Sequence, residues 1–220
     1  MKGREIEKIA NDIRRAVGKT YKYKQSDYIN WKIKDGYFFC LDASLMYDRK
    51  THIMHPELSV KPVYMDDMYW KIIYPHREMK LPDSRRGNGK LHYLAERIWK
   101  ESTPKTLHTE FSAEEFERTM TDIFVKSERE IEAFLQKYPH PDFFGKFMAE
   151  DGFGYALSEV LILINEEKFT EAAQFAKERI AKNKGITNFY VMGEGENRRE
   201  KSEFELIWEY CQSKIADATE

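Results

Sequence analysis

The feature that most constrains this chain is a change of hydrophobic period between Thr103 and Ser112. Before it, apolar residues tend to recur at alternate positions; after it they recur every three or four. Alternation puts apolar groups on one face of a pleated strand, whereas three-and-four spacing lines one side of a helix. The sequence therefore predicts an α+β protein: an N-terminal helix plus a small antiparallel sheet, followed by a C-terminal helical region. It predicts an α+β region with a β-hairpin over residues 1–105 and a helical region over 106–220, or one continuous compact domain.

Ile6, Ile9, Ile13 and Val17 stand three, four and four apart, one stripe of a helix over about 4–17, with Gly18 as its stop. Then the period shortens. Residues 27–34 alternate Ile29, Trp31 and Ile33 with Asn30, Lys32 and Lys34; Asp35-Gly36 supplies a tight turn, and Tyr37 to Leu41 returns as the second arm of a hairpin. A further strand is expected over 58–64, moved to a sheet edge by Pro62. Met65 to Ile73 fits a short helix or a strand. Residues 75–90 read as an exposed loop, and 92–99 leans to strand.

From Ser112 the pattern is helical almost to the end. Ser112-Ala113-Glu114-Glu115 opens a capped helix carrying Phe116, Met120, Ile123, Phe124, Ile131 and Leu135 as far as Lys137, and Tyr138-Pro139-His140-Pro141 breaks it. Helices over about 154–166 and 169–183 make an antiparallel pair, with Ala172, Ala173 and Ala176 permitting close approach. The pair resembles one unit of the helix-turn-helix repeats of peptide-binding solenoids, but no second copy follows at a fixed period. A last helix over 203–215 would bury Phe204, Ile207, Trp208, Cys211 and Ile215, after a loop at 193–197.

Aromatic residues at 14% argue for a packed core despite 34% charged residues. Residues 1–105 hold 22 Lys+Arg against 14 Asp+Glu, and residues 106–220 hold 14 against 24. Oppositely charged halves either dock on each other or reflect an acidic half rich in solvated helix faces, or else they leave a basic face for an anionic partner; the basic face is not preferred. The charged start, Met1 to Lys8, lacks the apolar run of a signal peptide, and the longest apolar run, Val160 to Ile164, is far short of the roughly 20 residues of a membrane span. No membrane partner is expected. Cys40 and Cys211 are the only cysteines, a usage that suits a reducing compartment, so the expected location is the cytoplasm.

Motifs that could carry chemistry are sparse. His52-x-x-His55 could share a metal on a helix, but its surroundings read as a loop and a third ligand is wanting, so no metal and no cofactor are expected. Ser84-Arg85-Arg86-Gly87-Asn88-Gly89-Lys90 has the glycines and cations of a phosphate cradle without P-loop spacing. Arg85, Arg86 and Lys90 are its candidate binding residues, with His76 and His92 nearby. Tyr21-Lys22-Tyr23-Lys24 and the strand after it interleave rings with lysines, which suits either base stacking or a half-buried strand, and the strand is preferred. Finally, Tyr138, Phe143, Phe144, Phe147, Phe153 and Tyr155 form an aromatic run broken by prolines and glycines. It reads as a core plug between subdomains, or else as a partner surface with Tyr138, Phe143 and Phe144 as candidate binding residues.

The helix, the hairpin from Ile29 to Leu41, the further strands and Met68-Tyr69-Trp70 together resemble small bacterial α+β families of unknown function, some of which are immunity proteins beside toxins. That resemblance implies a bacterial, cytosolic binding protein. The charge split and the lack of catalytic signatures point to a protein-binding or regulatory, immunity-like module, with another protein as partner on either the acidic helical face or the aromatic patch near 138–155. Reliance on catalysis is not expected, because no nucleophile elbow and no local cysteine signature is present, and no catalytic residue can be named. The alternative is an enzyme or a nucleotide- or nucleic-acid-binding protein using the basic N-terminal half. The oligomeric state is left open.

Overall fold

The computed structural model describes the chain except residues 1–2, 27–28, 49–50, 76–79, 88–90, 92–93, 103–104, 108–111, 153–154, 183–189, 193–198 and 219–220. The fold is α+β, with an N-terminal helix, an antiparallel sheet and a C-terminal helical region. Its contacts form two compact units interleaved along the sequence: Met1–Val63 with Pro82–Phe153, and Tyr64–Leu81 with Gly154–Glu220.

The first unit opens with helix α1, Gly3–Thr20. Ile6, Ala10, Arg14 and Val17 are buried along it, a stripe turned slightly from the one the isoleucines suggest. Gly18 does not stop the helix; it lies within the last turn, where an added Cβ would stand 2.9 Å from Asn30 Nδ2 and 3.1 Å from a ring carbon of Phe124. The left-handed residue after the helix is instead Lys22, at φ 62°. Strands β1 (Lys24–Ser26), β2 (Ile29–Lys34), β3 (Tyr37–Asp42), β6 (Glu57–Pro62) and β7 (Glu96–Lys100) make a five-stranded antiparallel sheet in the order β1-β2-β3-β6-β7. Both central residues of the β2–β3 turn, Asp35 and Gly36, have positive φ, the geometry that matches strand twist in a two-residue hairpin.

Pro62 does not send its strand to an edge: β6 lies between β3 and β7. Val63 donates its N–H to Gly36 O on the β3 side, so the missing donor at Pro62 points the other way. There β7 pairs only with residues 57–60, and no ladder bond is lost. A second antiparallel sheet joins β4 (Leu45–Asp48), β5 (Thr51–Met54) and β8 (Lys105–Leu107) in the order β4-β5-β8.

Helix α3, Ala113–Lys137, starts where the Ser112 side chain accepts the N–H of Glu115, and it packs on α1. One face of the five-stranded sheet meets it through Tyr37 and Phe39, whose rings lie 5.2 and 5.9 Å from Phe134. Helix α4, Phe144–Glu150, follows a 3-10 turn at Pro141–Phe143.

The second unit contains α2 (Val63–Ile73, from its second residue), α5 (Ala156–Asn165), α6 (Phe169–Lys182) and α7 (Glu203–Asp217). The segment left open at 65–73 is thus helix, and Tyr69 of α2 donates its hydroxyl to Glu203 of α7. Helices α5 and α6 pair as expected, but α6 packs more extensively on α7, with Ala172, Ala173 and Ala176 buried. Ser202 and Glu205 close a capping box at the start of α7. Two departures occur in this region. A short antiparallel ribbon, β9 (Tyr190–Met192) with β10 (Arg199–Lys201), interrupts the helical stretch. Helix α7 buries Leu206, Ile207 and Cys211 and exposes Trp208, because the face turned to its neighbours is one residue round from the predicted stripe.

Candidate functional site

The basic loop is less exposed than its composition suggests. Residues 83–85 form a 3-10 turn, Arg85 is exposed, and Arg86 is 1% exposed. Arg86 Nε donates to Asp83 Oδ1 at 3.0 Å and Nη1 to Val63 O at 3.2 Å. Its own carbonyl accepts from Lys61 Nζ at 2.7 Å, and Lys61, fully buried on β6, also donates to Leu91 O at 2.5 Å. Gly87 lies against Ile29 and Phe38, so the segment covers the second face of the sheet. Arg86 thus ties the chain down and is not offered to solvent beside Arg85. Lys90, His76 and His92 lie outside the described residues.

The aromatic run separates cleanly. Tyr138, Phe144 and Phe147 are buried with Tyr37, Phe39 and Phe134 inside the first unit, in tilted and edge-to-face contacts 5.1 to 6.3 Å apart. They are a core plug of that unit. Tyr138 also reaches outward: its hydroxyl bonds to Glu150 Oε2 at 3.0 Å and Asp151 Oδ2 at 2.8 Å, and Lys137 Nζ lies 2.7 Å from Asp151. The Lys137 bond, then the Tyr138 bond, hold the Asp151 carboxyl below its ordinary value, and Tyr138 does the same for Glu150. Phe143 stays outside, 41% exposed, and Phe153 lies outside the described residues.

Tyr155, in the second unit, is also exposed, so of the three candidates Tyr138, Phe143 and Phe144 it is Phe143 that faces solvent, and its neighbourhood is built by the hairpin. Tyr37 donates its hydroxyl to His140 O at 2.5 Å, and a Cβ on Gly36 would come within 2.7 Å of Pro141 Cγ. The turn at 35–36 and the segment at 139–143 are thus in contact, and only glycine fits between them at φ 79°. Two residues before that turn stands Ile33, 42% exposed. Lys34 and Asp35, next to Ile33 in the chain, and Asp142 and Lys146, near Phe143 in the chain, are exposed. Ile33 is the register partner of Phe38, on the sheet face away from Tyr37, so the hairpin end carries exposed apolar groups beside both of its faces, each with exposed charged neighbours, an arrangement suited to contact with another protein.

Other sequence candidates resolve differently. Tyr23 and Trp31 are buried, with Trp31 stacked on Phe38 and Lys32 Nζ 4.4 Å from the Tyr23 ring, so these rings offer no stacking platform. Burial, then the Glu128 charge, push the Tyr23 hydroxyl well above its ordinary value. His52 sits on β5 and His55 beyond its end, which replaces the expected loop by a strand under the first histidine. Among the described residues no group of three or more His, Cys, Asp or Glu is placed to hold a metal ion, and no helix is long and apolar enough to cross a membrane. Cys40 and Cys211 are buried and form no disulfide, and burial raises the Cys211 thiol to about 11. No family model, no curated protein and no solved structure matches the chain.

Sequence reasoning missed two residues. Ile33 shares the alternate stripe of Ile29 and Trp31, which gives no sign that it alone is exposed, and Arg14 carries one local sign, its place in an otherwise apolar stripe at 6, 10 and 17.

Proposed function

We propose that this chain is a protein-binding, regulatory module of the cytoplasm, immunity-like in the sense of acting by occupying a partner rather than by catalysis. Its docking surface is the tip of the hairpin, with Phe143 as the main apolar anchor and Ile33, beside the other face of the tip, as a second contact that a partner wrapping the turn would reach. The observation that carries this reading is the exposure of these two side chains on segments that meet at Gly36. Large apolar groups exposed on a rigid base lose little entropy when a partner covers them, and such anchors dominate binding energy. The two buried cysteines, outside any disulfide, suit the reducing compartment.

A photoreactive phenylalanine analogue at position 143 tests the reading in native cells, with the same analogue at exposed Glu132 as control. The expected result is one discrete protein adduct from position 143 alone, with affinity for that protein lowered about tenfold or more by Ile33→Ser. No adduct, or the same adducts from both positions, would dismiss the proposed surface.

A further inference from the structure

Between Asp12 and Asp27 the chain carries five Lys and Arg residues and no acid. Arg14 turns inward, lining a cleft with Ser44. The other four, Arg15, Lys19, Lys22 and Lys24, are exposed, and among the described residues none of their side chains forms an ion pair or a hydrogen bond. Elsewhere in the same unit Lys32, Lys100, Lys126 and Lys137 each meet a carboxylate within 3.5 Å. The exposed cations at 15–24 are thus uncompensated where others are paired.

The fold gathers these charges at one edge of the sheet. Arg15 and Lys19 stand one helical turn apart on α1. Lys22 donates its N–H to Lys19 O at 3.0 Å across the turn that follows, and Lys24 opens β1, the edge strand, which packs against α1. The 3-10 turn at Asp83–Arg85 also packs on β1 and adds exposed Arg85, while its acid, Asp83, is held by Arg86. The end of α1 covers the face that carries Asn30, against which Gly18 lies. Lys24 is the register partner of Trp31 and reaches the opposite face, its Nζ 5.0 Å from that ring. Cations therefore border the β1 edge on both sides.

We propose that this edge binds double-stranded DNA through its phosphates, without regard to base sequence. The phosphates bordering a groove of B-form DNA run in two rows about 12 Å apart across the major groove, so cations on both sides of a narrow edge have partners on both strands. Single strands are held largely by bases stacked on exposed rings, and here Tyr23 and Trp31 are buried and Tyr21 is stacked on Phe124. Duplex RNA closes its major groove to side chains and is met through its 2′-hydroxyls. A membrane or a protein partner would want an apolar anchor. Among the described residues the exposed large apolar side chains are Ile33, Phe143, Tyr155 and Trp208, none of them on this stretch. The DNA surface is separate from the hairpin tip, and neither reading requires the other.

Fluorescence anisotropy of a labelled DNA duplex of about 20 base pairs with the full chain, from about 20 to 200 mM salt, tests the inference. A dissociation constant of about 10 μM or tighter is expected at the lowest salt, with log affinity falling on log salt with a slope of about −3 to −5. Lys19→Gln and Arg85→Gln should each reduce that slope by about 1 and weaken unrelated sequences alike. Lys177→Gln, which removes an exposed lysine of α6, should change neither. No binding at the lowest salt, or equal losses from Lys177→Gln, would overturn the proposal. So would tighter binding of a single strand, an RNA duplex, a glutamate peptide of equal charge or phosphatidylserine vesicles, each of which would assign the edge to that other partner.

Discussion

Strand β3 and helix α6 bury their residues by different rules. From Tyr37 to Leu41 every side chain of β3 is buried, so both alternate sets are interior: Phe38 and Cys40 on one face, Tyr37, Phe39 and Leu41 on the other. Helix α6 buries only Ala172, Ala173 and Ala176, one narrow stripe at helical spacing. On α6 the period of the sequence states which residues are inside. In the middle of the sheet it does not, because a strand covered on two faces also buries whatever polar residues its neighbours carry. Lys61, on β6 opposite Phe38, is the extreme case: fully buried, with its Nζ on two backbone carbonyls and 5.4 Å from the Phe38 ring. A desolvated ammonium is tolerable there because acceptors such as these are fixed in place.

The contrast can be broken most directly at Lys61. Lys61→Ala is expected to destabilise the protein by about 3 kcal/mol, since it leaves a cavity and strips a donor from the Arg86 and Leu91 carbonyls. A urea midpoint shifted by the equivalent of less than about 1 kcal/mol would mean that the carbonyls find other donors and that the buried charge is dispensable. In the helical group the vulnerability is shape rather than polarity. Ala176→Leu should cost about 2 kcal/mol by overpacking the buried face of α6, measured by the same denaturation, while the exposed Gln174→Leu costs little. Equal losses from the two substitutions would mean that α6 has no tight face.

The smallest effect sharpens the boundary between core and surface. Tyr138→Phe keeps a buried ring but removes the hydroxyl that bonds Glu150 and Asp151, and a fall in Tm of roughly 2 °C is expected at neutral pH. Both carboxyls have folded-state values below their ordinary ones, so their contribution is present above the ordinary carboxylate range and is lost as pH falls through the lowered values. The difference between wild type and variant should therefore shrink in acid, and a difference that grew there would contradict this account. Thermal unfolding across a pH series decides it.

Much of the fold was legible because local chemistry and global structure agree. Asp35-Gly36 between alternating runs fixed the hairpin, Ser112 fixed the start of α3, and Tyr138 to Pro141 fixed its end. Pro62 misled because a proline excludes a central strand only where its missing N–H faces a ladder, and here β7 stops short of it. Trp208 misled because an apolar residue beside a helix stripe is assigned inward by pattern, whereas the packing of α7 decides which side turns in. The candidate site was half visible. Phe143 was named with Tyr138 and Phe144, but which of three aromatic rings stays outside depends on where the 3-10 turn meets the hairpin.

By itself the sequence determined the class of the protein, because the period of apolar residues sets local geometry within a few residues of chain. It also determined the turns and caps, which depend on single residues and their immediate neighbours. Only the tertiary structure decided that Arg86 and Lys61 are interior, that Ile33 and Phe143 are exposed beside segments that meet, and that Arg14 lines a cleft with Ser44. Those outcomes rest on contacts between residues 25 to more than 100 positions apart in the chain, and no local pattern encodes which distant backbone will supply a hydrogen-bond partner.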